Sequence, residues 1–367
     1  MRHLRISSLL GALSLFAFLG LACVDQPGGG STGGTVLYAY DNSTQQLLEW
    51  DASAFYDNDI PVTLKTVGSN VFQNKMSSLS WGGLALDATA NRIYLVHETT
   101  GDVVRVNNIR GQSGTISSTS PDVATFTLGA SSSDRLSSGT FGQAAVDPGT
   151  GVLYITEKND SETRIWVVSN ANSLQDGGTV PATNLLKVSG DKACTGVAAG
   201  LGGQVFGYFN SGNAIGIDQI SGPRLRKGTS SGFSSDASVL VGSNTSLGLY
   251  GTLALDSGNN LVFLARHNID SSSTSAPVKA FSIGKFNGGG FNQAPDFTLG
   301  TNSAQGNLRV LAHPGNKEWL AALTSSSEAA TNVIHIWKLP RDPTMVAKTR
   351  TISTASSIRG IAFDGNN

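Results

Sequence analysis

The residues best equipped for chemistry recur at one register. Three places beyond a repeated strand aromatic stand Asp41, His97, Glu157, Phe209, Arg266 and Ala322; one place further stand Asn42, Glu98, Lys158, Asn210, His267 and Leu323. In five of these six stretches the chain turns polar or charged just where a strand ends. Carboxylate, imidazole, amide and cationic groups converging on one rim can hold a polar or sugar-like ligand, or the loop of a partner protein. The ligand-binding candidates are therefore Asp41, His97, Glu98, Glu157, Lys158, Asn210, Arg266 and His267. If His97, Glu157 and His267 meet, they could pass protons as a hydrolase or lyase does. A plainer explanation weighs more: hairpin tips are polar because they are wet. The sequence holds no phosphate loop or HExxH. No catalytic residue, metal ligand or cofactor is assigned, and binding is favoured over catalysis.

Positioning such a rim falls to the elements on either side, and these repeat. "WGGLALDATANRIY" (residues 81–94) and "YGTLALDSGNNLVF" (250–263) share an aromatic, a glycine, Leu-Ala-Leu-Asp, a polar turn and a second apolar run. "FGQAAVDPGTGVLYITE" (141–157) is a third copy, with looser ones at 195–210 and 307–323. The glycines at 82, 142, 196 and 251 are 60, 54 and 55 residues apart. A period of this size marks a repeat architecture. The C-terminal "IRGIAFDGNN" is the first half of the template, and "TVLYAYD" at 35–41 is the second half. A repeat divided between the termini is how a circular array closes.

Each unit continues with a third strand: Gln46–Trp50, Asp102–Val106, Arg164–Val168, Ala214–Ile217, Val278–Ile283 and Val333–Trp337. A fourth, edge-like strand follows, as in "ATFTLG" (124–129) and "PDFTLG" (295–300). The expected fold is all-β: a six-bladed β-propeller of four-stranded antiparallel blades over residues 35–367, its ring closed by pairing of the N- and C-terminal segments in one blade. Small residues such as Gly83, Ala144, Ala198 and Ala254 suit a crowded axis. Tyr38, Tyr94, Tyr154, Phe206, Phe263 and Trp319 are expected between adjacent blades, where rings bury large apolar area. Asp87, Asp147, Asp256 and Asp364 lead turns and read as structural acceptors. Trp81, Phe141 and Tyr250 could stack on a ligand at the rim, but a core-capping role suits a position that recurs. His97-Glu98 and Arg266-His267 fall three units apart, on opposite sides of such a ring.

The repeats resemble the NHL and YVTN-type propeller repeats of exported bacterial proteins, with "YAYD" (38–41) matching their second strand. The resemblance spans residues 35–367 and implies the fold; function does not follow from it, because propellers host many functions. Gluconolactonase-like propellers need acidic and amide metal ligands on inner strands, where this chain has Gly, Ala, Leu and Val. WD40 repeats end their third strand on Trp-Asp, and only Trp50-Asp51 does so here.

Residues 1–22 read as a signal peptide: Arg2 and Arg5, then the apolar run of residues 9–22, too short for a comfortable membrane span. "LGLAC" (19–23) resembles a bacterial lipobox, with Gly20 where leucine is usual. The resemblance implies lipidation of Cys23. Val24, in place of Asp, then implies the outer membrane. Residues 23–34 would be the lipidated cysteine and a Gly/Ser tether. The one other cysteine, Cys194, reads as a buried small hydrophobe. Net charge of −1 and 14 % charged residues give no electrostatic case for nucleic acid. The expectation is a monomeric, lipid-anchored module of the cell envelope, held to the membrane by its lipid only, that binds or scaffolds a protein or glycan partner. The alternative is a hydrolase or lyase acting on a sugar or lactone-like substrate.

Overall fold

The structure, a computed structural model, describes residues 35–52, 65–69, 81–110, 116–159, 162–183, 185–187, 194–200, 202–209, 224–240, 250–266, 278–287, 294–300, 307–313, 318–325, 332–339, 348–351 and 358–364. The proposed signal peptide, Cys23 and the tether lie outside them, as do Asn210 and His267.

The described residues form six sheets. The first pairs β1 (Val36–Asp41), β2 (Gln46–Asp51) and β3 (Lys65–Ser69) with the C-terminal β25 (Ile358–Asp364), in the order β25-β1-β2-β3. The second runs β4 (Trp81–Asp87), β5 (Arg92–His97), β6 (Asp102–Asn107) and β7 (Val123–Leu128). The third holds β8 (Thr140–Val146), β9 (Leu153–Lys158), β10 (Thr163–Val168) and β12 (Leu185–Lys187). Between β10 and β12 lies β11 (Gly178–Val180), which joins the second sheet instead.

The fourth sheet orders β13 (Cys194–Gly200), β14 (Gln204–Phe209), β15 (Arg224–Thr229) and β16 (Gly232–Leu240). The fifth orders β17 (Tyr250–Asp256), β18 (Leu261–Arg266), β19 (Val278–Ser282) and β20 (Phe297–Leu299). The sixth orders β21 (Asn307–Ala312), β22 (Trp319–Ser325), β23 (Asn332–Lys338) and β24 (Lys348–Thr351).

The two halves of the divided repeat meet. β25 lies antiparallel to β1, with Val36 opposite Asp364 and Tyr38 opposite Ala362. Their relation is that of Arg92 to Asp87, which a four-residue turn joins directly. The first strands neighbour one another in the cyclic order β4, β8, β13, β17, β21, β25 and back to β4. Each second strand is buried on both faces because a sheet stacks on either side, so its sequence is a continuous apolar run. One repeated aromatic enters each core between neighbouring sheets. Tyr38 packs with Leu84 and Leu95, and Tyr94 with Phe141, Leu153 and Trp166. Trp319 packs with Leu37 and Phe363.

Glycine is required where inner strands nearly touch. A β-carbon on Gly83 would lie 2.5 Å from the Gly142 carbonyl oxygen, and one on Gly196 would lie 2.7 Å from that of Gly251. Gln143 on β8 uses its amide as a strand would use its backbone. Its Oε1 accepts the N–H groups of Val197 and Leu253 (3.2 and 2.9 Å), and its Nε2 donates to the Leu253 carbonyl.

The turn aspartates do more than cap their turns. Asp147 Oδ1 accepts the Gly149 N–H at 2.8 Å, while Oδ2 accepts that of Gly203 in the next sheet at 3.0 Å. Asp256 accepts from Asn259 and faces His313 of the sixth sheet at 3.4 Å. Burial pushes that imidazole well below its ordinary value, against the pull of Asp256. Asp364, fully buried, takes a fork from Arg110 at 2.5 and 2.6 Å, which holds the guanidinium above its usual range.

Two expectations are corrected. Five sheets have four strands, but the second has five: β11 pairs parallel to β7, with Gly178 opposite Phe126. The chain between β10 and β12 crosses to the second sheet, where Asp176 accepts the Thr125 N–H and Ala171 accepts from Arg105. An open edge offers unpaired backbone groups, and this crossing covers it. The third strand of the fourth sheet is β15, Arg224–Thr229, rather than 214–217, which lies outside the described residues.

His335, on β23, is buried and its pKa is pushed down to about 4 by loss of solvation. The folded state keeps it neutral while the unfolded chain protonates near 6.5. Its contribution to stability is therefore complete above pH 6.5 and is lost as pH falls toward 4, on the order of 3 kcal/mol in all. Melting temperature should drop across this window, and His335→Phe should flatten that part of the slope.

Candidate functional site

The candidate residues gather at one end of the sheets. His97 stands opposite Trp81, Glu157 opposite Phe141, Arg266 opposite Tyr250 and Asp41 opposite Ile358. Beside each pair the first strand carries a register shift. An irregularity of this kind bends a strand and re-aims its side chains, which suits a rim.

At closer range the side chains of Asp41, His97 and Glu157 are spent on structure. The Asp41 carboxylate accepts from the Ser43 N–H and hydroxyl (2.9 and 2.7 Å) and from the Thr44 hydroxyl, closing its own turn. His97 is fully buried, and its Nδ1 accepts the N–H groups of Thr99 and Thr100, both at 3.2 Å. Glu98 is half-buried, and its carbonyl accepts the Phe141 N–H at 2.7 Å. Lys158 ends β9 opposite Thr163. Arg266 ends β18 and Cys194 begins β13. Phe141 is buried in the core between the second and third sheets, which is the capping role. The Nδ1 lone pair of His97 is thus taken within its own turn. Among the described residues no group of three His, Cys, Asp or Glu is placed to hold a metal ion.

Glu157 organises the rim. Although fully buried, it reaches two elements: Oε1 accepts the Leu136 N–H at 2.7 Å and Oε2 accepts the Trp166 indole N–H at 2.8 Å. Leu136 sits in the segment between β7 and β8, "GASSSDRLSSG" (129–139). Third-sheet residues clamp this segment again: Arg164 donates to the Asp134 carbonyl (3.0 Å) and Asn159 to that of Ser137 (3.1 Å). Within it, Asp134 accepts the Ser131 N–H at 3.0 Å. Ser138 is held at φ +54°, a left-handed conformation costly for a residue with a β-carbon.

The clamped segment walls a cavity of about 690 Å³ between the second and third sheets. Six hydroxyl residues line it: Thr99, Ser132, Ser133, Ser137, Ser138 and Thr140. Arg135, Phe141 and Glu157 complete the chemically distinctive part of the wall. Of the candidates, the structure brings Glu157 to this cavity as a buried positioning group. Sequence reasoning missed Arg135 and the serines. Their signal was an unusually serine-dense connection, "SSSDRLSSGT" (131–140), without counterpart in the repeated template.

No protein-family model matches the chain, and no curated protein matches it. Solved structures do. A chain in the crystal structure of a nidogen/laminin complex superposes with a TM-score of 0.54 at 11 % identity, covering 90 % of this chain and 98 % of that one. The Cps50 (Swd1) β-propeller domain of Myceliophteria thermophila reaches a TM-score of 0.41 at 9 % identity, covering 82 % of each chain, a level that carries no argument. The first likeness speaks to fold, and with the sheets described above it makes this chain an all-β propeller.

Proposed function

We propose that this protein is a binding or scaffold module of the cell envelope that takes a protein or glycan partner on the rim between its second and third sheets. The carrying observation is the cavity of about 690 Å³ walled by a segment that Glu157, Arg164 and Asn159 hold in place. A wall fixed before binding spares the ordering cost that a mobile loop would incur. The neighbouring nidogen/laminin chain was solved as part of a complex, which agrees with partner binding. The six sheets and the cyclic order of their first strands support a six-bladed ring, and the likeness of its repeats to NHL/YVTN-type propellers rests on sequence. The protein is a monomer anchored through lipid on Cys23, on the outer membrane, and takes no nucleic acid.

One experiment with two arms tests this reading. Ser133→Trp or Ser137→Trp should abolish partner capture from envelope extract, while Thr89→Trp, exposed at the opposite end, should leave it intact. Equal capture by all variants would remove the rim as the binding face. Cys23→Ser should release the protein from membranes, and unchanged fractionation would remove the anchor.

A further inference from the structure

We infer that the rim cavity takes a carboxylated, hydroxyl-rich ligand, a sugar acid of the uronate type, with Arg135 as its carboxylate anchor. The inference rests on the reading of this rim as the binding face and names what occupies it.

Arg135 is the first ground. Its stem lies over two glycines held at φ +70° and +80°: a β-carbon on Gly101 would come within 3.3 Å of Arg135 Cδ, and one on Gly129 within 3.5 Å of Cγ. A β-carbon at Gly101 would press on the stem, and one at Gly129 would just touch it. The stem is thus seated, yet the guanidinium has no hydrogen-bond or ion-pair partner among the described residues. The neighbouring acids are engaged elsewhere. Glu157 serves Leu136 and Trp166, Asp102 accepts from Thr100 and Thr127, and Asp134 accepts from Ser131. A planar guanidinium fixed by its stem and open at its head is arranged for a bidentate carboxylate.

The second ground is the rest of the wall. Of the six hydroxyl side chains, those of Thr99, Ser133 and Thr140 meet His97, Ser131 and the Lys158 carbonyl, while those of Ser132, Ser137 and Ser138 are left to donate to and accept from a ligand rich in such groups. Protein hot spots centre instead on exposed aromatic anchors. The aromatic here, Phe141, is only 3 % exposed and belongs to the core. The cavity volume falls within the usual range for small-ligand sites, enough for one or two sugar rings. Ser138, held in its costly conformation on this wall, marks a place where the surroundings dictate the backbone.

The test uses full-length protein and calorimetric titration with galacturonate and digalacturonate. The controls are galactose, the methyl ester of galacturonate, and a tetra-aspartate peptide. The uronates should bind, and the ester and galactose should bind at least about tenfold more weakly. Arg135→Gln should weaken uronate binding by a similar factor, with an unchanged melting temperature reporting an intact fold. Tighter binding of digalacturonate than of the monomer assigns the site to a glycan chain, and equal binding assigns it to a free sugar acid. Three results would overturn the inference: no uronate binding, equal binding of the ester, or binding of the peptide without the uronates. If partner capture is lost in the rim variants but unaffected by Arg135→Gln, the rim remains the binding face and the carboxylate assignment fails.

Discussion

Deletion of residues 358–367 is expected to leave no cooperatively folded protein. The deletion removes β25, the first strand of the sheet that joins the two ends of the chain. Ile358, Ile361 and Phe363 leave a core that also contains Trp50, Trp319, Leu323 and Ile336. Burial of three such side chains is worth roughly 5–9 kcal/mol, at about 1.5–3 kcal/mol each. The net stability of a domain is only about 5–15 kcal/mol. The remaining chain would also present β1, whose residues 37–41 are all buried, as an open edge. Asp364 goes too, stranding the half-buried Arg110 guanidinium without its fork. Near-ultraviolet circular dichroism on heating should show no sharp transition. A cooperative melt within a few degrees of the intact protein would refute this account.

A second variant separates loss of the strand from loss of sequence continuity. Joining Asp364 to Val36 by a four-residue turn, with new ends opened elsewhere, copies the relation of Asp87 to Arg92. That permuted chain keeps every pairing of the first sheet and should fold.

Glu157→Ala is expected to be the most damaging substitution at the rim, costing about 3–5 kcal/mol. Two hydrogen bonds to a fully buried side chain are lost, each worth roughly 1–3 kcal/mol when a buried donor is orphaned. The Trp166 indole N–H and the Leu136 backbone N–H would both be left without their acceptor. Glu157→Gln should cost about half as much, because its amide keeps one acceptor and turns a donor toward a donor. Urea unfolding measures the loss. Hydrogen exchange of residues 131–139 should rise, since Leu136 is the point at which Glu157 grips that segment. Ligand binding should weaken with it, as Arg135 is adjacent to the released residue. Unchanged exchange in 131–139 would show that Arg164 and Asn159 suffice to hold the wall, and would remove Glu157 as its positioning residue.

Much of this architecture is written locally. Strand and turn periods are short-range patterns, so the hairpins from Trp81 to His97 and from Tyr250 to Arg266 could be placed from residues alone. The divided repeat predicted that Ile358–Asp364 pairs with Val36–Asp41, because half a hairpin cannot satisfy its own backbone. The aromatic at each second strand and the small residues of the first were legible for a similar reason. Stacking sheets about an axis leaves room for little else at Gly83, and it rewards a ring at Tyr94.

Tertiary structure decided what the conspicuous polar residues do. Asp41 and His97 close their own turns through neighbours two and three residues on, whereas the Glu157 carboxylate is consumed by partners from other elements. Glu157 meets Leu136 from 21 residues away, Gln143 meets Leu253 from 110, and Arg110 meets Asp364 from 254. No local period encodes such meetings. The same holds for β11, whose parallel pairing with β7 depends on how the third sheet stacks on the second. Arg135 drew no notice as one charge in a run of serines. Two glycines from neighbouring turns meet beneath its stem, and only that packing makes it an open, seated guanidinium at a cavity wall. Sequence alone determined the repeating strands because backbone pairing and burial are local and periodic. The site was decided by the stacking of sheets, because its side chains converge from separate strands and connections and draw their partners from across the ring.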